Sequence, residues 1–204
     1  MDQYSEADVR EALAPYHARI RAVIEHGFAE WLSVSECRAS KGFSPVLYPR
    51  TVSNYVFDAI ARYARAEFAL DKSVRTLDES QTVKFCFDGK VIARFKKGDD
   101  DNLGQNILTL AVLDFIDPQM NLPGFPPQAA KVEFVWSAND IGTAVQSMLV
   151  VARNNDRVLW SYEIDDAGES GGSGVVILPS SRPDDDGPLV TPKIKTDDES
   201  AKGE

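Results

Sequence analysis

Apolar residues recur at three- and four-residue steps along the first third of the chain, and mostly at two-residue steps after it. Val9, Leu13, Tyr16, Ile20, Val23, Ile24, Phe28 and Trp31 make one helical stripe. Ser5 with Asp8 three residues on reads as a capping box with Asp in place of the usual Glu. Pro15 lies inside the stripe and lacks the N–H that bonds back one turn, so a kink or break is expected there. His17 and His26 are read as solvated helix residues. Residues 37–49 read as a loop with Gly42, Pro45 and Pro49 as breakers, and Val52, Tyr55, Val56, Ala59, Ile60, Tyr63 and Ala64 predict a second helix over residues 51–68.

Alternation then takes over. Asp88-Gly89 predicts a β-hairpin, and a three-residue loop Phe87-Asp88-Gly89 with a bulge fits the faces best. That register sets Val83, Phe85, Val91, Ala93 and Phe95 on one face, and Lys84, Cys86, Lys90, Ile92, Arg94 and Lys96 on the other. A short, largely buried helix is predicted over 107–116, and strands over 131–136, 145–152 and 157–164, with Val132, Phe134, Trp136, Val158, Trp160 and Tyr162 inward. The order α-α-β-β-α-β-β-β implies an α+β domain over 1–164, an antiparallel sheet of about five strands with the N-terminal helices packed on one face. From 165 the composition turns acidic and Gly/Ser-rich, which predicts a flexible, disordered tail with an apolar island, VVILP at 175–179. The island reads as an edge strand or fold-back segment, or alternatively as a linear motif that adds a strand to a partner's sheet.

Charge refines this picture. The net charge of −10 divides into −6 from residues 164–204 (ten acidic, four basic) and −4 from the rest (22 acidic, 18 basic). That balance disfavours non-specific nucleic-acid binding, which needs clustered cations, without excluding a local basic face. No apolar run is long enough for a membrane span, the N-terminus is acidic where a secretion signal is basic, and Cys37 and Cys86 are too isolated for a disulfide framework. The expected location is the cytoplasm.

The motifs HExxH, GxSxG, GxxxxGK and GxGxxG are absent. Cys37 has no oriented base, because both histidines lie on the preceding helix. Two clusters remain as candidates. The cationic hairpin face, Lys84, Lys90, Arg94 and Lys96, joined by Arg50 and Arg62 (with Arg65) from the second helix, is a candidate binding surface for an acidic partner or phosphate; otherwise it is a solvated sheet face. Asp99, Asp100 and Asp101 after that hairpin are candidate Mg²⁺ ligands of a nuclease-like site. Arg94 stands where such sites place a carboxylate, and the plainer reading is an acidic loop capping the next helix. No cofactor is implied.

The segments PRTVSNYVFD (49–58), RFKKGDDDN (94–102), QNILT (105–109), LPGFPP (122–127) and VLWSYEI (158–164) resemble a family of uncharacterised bacterial proteins. Its members are often encoded beside helix-turn-helix regulators and repressor-cleaving zinc peptidases in mobile or phage-derived regions. The resemblance implies a stress-response, phage-defence or toxin–antitoxin-like setting and carries no catalytic residue. The resulting expectation is a non-enzymatic regulatory protein that binds a partner protein. The alternative is a nucleic-acid-binding or metal-dependent nuclease domain using the hairpin.

Overall fold

A computed structural model describes residues 5–79, 82–99, 101, 103–104 and 109–164. The expectations for the tail and its apolar island, and for Asp100, lie outside the described residues. The chain order is α1 (Glu6–Leu13), α2 (His17–Ser40), α3 (Pro49–Phe68), β1 (Val74–Glu79), β2 (Thr82–Phe87), β3 (Val91–Lys97), α4 (Leu110–Ile116), β4 (Ala130–Ala138), β5 (Val145–Asn154) and β6 (Arg157–Glu163). The expected α+β class holds.

The helical start follows its sequence signals. Ser5 Oγ accepts from the Asp8 amide at 3.3 Å, and the Asp8 carboxylate accepts from the Ser5 amide at 3.0 Å, closing the capping box. Pro15 converts Ala14–Tyr16 into a 3-10 turn that joins α1 to α2. His17, expected in solvent, is buried against Tyr162, its Nε2 lying 3.2 Å from the hydroxyl. The expectation set His17 off the apolar stripe, yet it lies one turn from Leu13 and Ile20 on the buried side, and a partner from β6 removes the cost of burying its polar ring.

α2 and α3 form an antiparallel hairpin on one sheet face, over a core centred on Phe68, Phe85, Phe87, Phe95, Phe134 and Trp136. Gly27 is the point of closest helix approach. A Cβ there would sit 2.5 Å from Ile60 Cγ1 and 2.9 Å from the Ile60 backbone nitrogen. Proline at the first position of α3 suits a site whose amide has no helical partner.

The sheet has six strands in the order β1-β2-β3-β4-β5-β6, one more than expected. The addition, β1, reads VRTLDE and buries only Val74, so its alternation was too weak to see; charged side chains suit an edge strand. The sheet is mixed rather than wholly antiparallel, since β3 and β4 run parallel with Arg94 opposite Glu133. Residue alternation says nothing of strand direction. Direction follows from the long connection carrying α4, which crosses over to start β4 at the same end as β3.

The hairpin has a three-residue loop one step later than expected, Asp88-Gly89-Lys90, between paired Phe87 and Val91. Asp88 and Gly89 both take positive φ, 50° and 68°, and the Lys90 amide donates to the Phe87 carbonyl at 2.9 Å. Two residues of register change no faces, so the expected division of side chains stands.

The cationic face is the main departure. It is covered by the β3–β4 crossover, whose Phe115, Ile116, Leu122 and Phe125 pack on Cys86 and Ile92 as a second core. α4 buries Phe115 and Ile116 but leaves Leu110 and Leu113 outside, so it is less buried than its apolar composition suggested. The Lys131 amine, beside Ile92 in register, donates to the carbonyls of Asp114, Asp117 and Met120 and fastens the C-terminal end of α4 to β4.

Gly27→Ala tests the helix contact. It adds about 1 kcal/mol of intrinsic helix propensity but overpacks Ile60, an effect of about 1–3 kcal/mol in a tight core. The expected outcome is a lower urea midpoint than wild type at unchanged helix content by circular dichroism.

Candidate functional site

The six expected binding residues do not share a surface. Arg50 and Arg62 sit on α3, over one face of the sheet, whereas Lys84 and Arg94 point into the second core on the other. Lys90 is exposed in the hairpin turn, and Lys96 is half-buried near the end of β3. Arg62 binds Glu30 at 2.8 Å and Asp58 at 3.3 Å, and Arg65 binds Asp78 on β1. Lys84 binds Glu79 at 2.6 Å, with its amine 5.6 Å from the Phe115 ring centre. What read as an open cationic face is therefore largely internal structure.

Its centre is a residue the sequence did not single out. Glu133 on β4 is 0% exposed, and Arg94, 1% exposed, donates to its Oε1 through Nη2 at 2.6 Å and Nε at 3.0 Å. Arg153 on β5 donates to Oε2 at 3.3 Å and to the Gly104 carbonyl at 3.2 Å. The Arg94 guanidinium also lies 4.2 Å from the Phe115 ring centre. Gly104 closes over the carboxylate so tightly that a Cβ would meet Oε2 at 2.4 Å. Burial lowers the Arg94 pKa, and the neighbouring Glu133 charge opposes it. Burial first, then Arg94, brings Lys96 down from 10.5 to about 8.

Both oxygens of Glu133 are engaged by guanidinium donors, which suits a structural ion triad better than a metal ligand or general base. Its neighbours gave no signal. Glu133 lies in an alternating strand between buried Val132 and Phe134, so it faces the opposite side of the sheet, where a charge reads as solvated until another layer covers that side.

The acidic loop is likewise internally engaged. Asp99 Oδ1 accepts from the amides of Asp101 at 3.0 Å and Leu103 at 2.8 Å, an arrangement that shapes a turn. Among the described residues, no group of three or more His, Cys, Asp or Glu side chains is placed to hold a metal. A trough of about 290 Å³ lies between α2 and the start of β5, lined by Arg21, Glu25, Phe28, Leu32, Met148 and Glu163. Arg21 there already meets Glu25 at 3.4 Å and the Ile164 carbonyl at 3.3 Å.

Three exposed large apolar residues lie close in sequence at the tip of the α2–α3 hairpin. Trp31, Leu32 and Val52 are the outermost helix side chains that touch the core, and no residue in 33–51 is buried. Within the connecting loop Phe43 is 58% exposed, Leu47 79% and Tyr48 54%. The loop is nevertheless shaped: Arg38 donates to the Ser44 carbonyl at 3.1 Å, and the Phe43 amide donates to the Arg38 carbonyl at 3.0 Å.

Two measurements test the buried triad. Glu133→Gln leaves two guanidiniums without their counter-charge and is expected to cost about 3–5 kcal/mol in urea unfolding, the range for breaking a buried pair. The Lys96 shift gives a pH dependence of definite sign. Between pH 8 and 10.5 the unfolded chain keeps a proton that the folded chain has released, so stability rises with pH across that window and the advantage disappears as pH falls below 8. Lys96→Met is expected to have a shallower rise than wild type from pH 8 to 10; equal slopes would remove Lys96 as the cause.

Compared with known proteins, the chain matches no family model, no curated protein and no solved structure.

Proposed function

We propose that this chain is a non-enzymatic interaction or regulatory protein that acts by binding a partner protein. Its setting is a bacterial stress-response, phage-defence or toxin–antitoxin-like module, as the family resemblance implies, and its location is the cytoplasm. The observation that carries the reading is the hairpin tip, where Phe43, Leu47 and Tyr48 stand exposed within one short loop. Scattered exposed apolar residues need no explanation, but a cluster on a shaped projection is a common feature of protein–protein contact. Cys37 and Cys86 are unpaired, in keeping with a reducing compartment. Among the described residues no helix is long and apolar enough to cross a membrane.

The hairpin-centred nucleic-acid reading has less support. It required Lys84, Arg94 and Lys96 on an accessible face, and two of these are buried with carboxylate partners.

A photo-crosslinking residue at position 47 of the full-length protein, expressed in its native cells, tests the proposal. One dominant crosslinked protein is expected, and the double variant Phe43→Ser/Tyr48→Ser carrying the same crosslinker is expected to lose it. Recovery of the same protein by a folded variant would move the contact away from the tip.

A further inference from the structure

Resting on that reading, we infer that the hairpin tip docks an acidic peptide segment of the partner, with apolar anchors set between carboxylates. Residues 33–51 carry three cations, Arg38, Lys41 and Arg50, and one anion, Glu36, a local +2 in a chain of net charge −10. The arginine charges frame the apolar surface: the Arg38 guanidinium lies 5.8 Å from the Phe43 ring centre, and that of Arg50 lies 5.1 Å from the Tyr48 ring centre.

Among the described residues Arg38, Lys41 and Arg50 form no ion pair, unlike Arg19, Arg62, Arg65, Lys84, Arg94 and Arg153, which each meet a carboxylate, and like Lys72, Lys90 and Arg157 elsewhere on the surface. A carboxylate arriving beside Phe43 or Tyr48 meets a guanidinium already held over a ring and still free to accept a counter-charge. The apolar side chains then supply affinity, and the cations supply selection and encounter rate.

Other occupants fit less well. Juxtamembrane basic segments that hold anionic lipid use clusters of about 4–8 lysines and arginines, and the tip has three beside a glutamate. Nucleic acid needs a track of phosphate contacts, and three cations in one short loop region do not make one. A second copy docked tip to tip would bring like charges together.

The test uses full-length protein and three fluorescein-labelled 15-residue amphipathic peptides of identical apolar pattern, with Glu, Gln or Lys at every polar position. The Glu peptide is expected to bind at least about tenfold more tightly than the Gln peptide at low salt, with the advantage shrinking as salt rises. Arg38→Glu/Lys41→Glu/Arg50→Glu is expected to lose about 10- to 100-fold in affinity for it, about fivefold at most per exposed pair. Phe43→Ser/Leu47→Ser/Tyr48→Ser, its fold verified by circular dichroism, is expected to abolish binding. Equal binding of the Gln peptide, still lost in the serine variant, overturns the acidic class and leaves the tip as a contact surface. Binding of no peptide, together with no capture by the position-47 crosslinker, overturns both. Tighter binding to phosphatidylserine vesicles or single-stranded DNA, or a dimer in light scattering that the serine variant dissolves, assigns the tip to that occupant and overturns the proposal.

Discussion

The Glu133 carboxylate has no exposed surface, and a bare charge in that position would unfold a domain of ordinary stability. Its presence fixes three other features. β3 must lie beside β4 in the register that sets Arg94 opposite Glu133, because a one-residue slip would turn Arg94 into the phenylalanine core. β5 must follow on the other side, so that Arg153 reaches the second carboxylate oxygen. The crossover must close over the pair, with Phe115 on the guanidinium and Gly104 against the carboxylate. Buried ion pairs are near neutral in net stability, so the triad contributes chiefly by penalising alternative pairings.

Two cores on opposite faces make the sheet an interior layer. The aromatic core under the helices brings Phe68, Phe85, Phe87, Phe95 and Phe134 into successive edge-on or tilted contacts. The second is smaller and mixed, its apolar side chains interleaved with Lys84, Arg94 and Lys131. With both faces covered, large apolar surface remains at the fold's extremities. The hairpin tip carries three such residues beside cations that form no ion pair among the described residues.

Much of the helical half was legible in the chain. Ser5, Pro15, Gly42, Pro45 and Pro49 punctuate it through local backbone chemistry, which needs no distant partner, and the stripes on α2 and α3 named the core residues that the fold buries. The faces of β2, β3, β4 and β6 were equally readable, because side-chain alternation survives a two-residue error in register. The candidate site was far less so. Arg50 and Arg62 were grouped with Lys84 and Arg94 by charge alone, and the sheet stands between the two pairs.

The sequence by itself determined the α+β class, the helix start at Ser5 and the break at Pro15, and which residues of the expected strands share a face. These depend on periodicity and on backbone preferences within a few residues of each other. By contrast, α2 runs on to Ser40 and α3 starts at Pro49, through residues read as loop. Only the tertiary structure decided that β3 and β4 run parallel, that the crossover covers the cationic face, and that His17 and Glu133 are interior. Each of those outcomes is set by a partner far along the chain: Tyr162 for His17, Arg94 and Arg153 for Glu133, and Phe115 for the face that carries Lys84. A polar residue's burial is favourable only once such a partner is in place, and no local pattern records where that partner will come from.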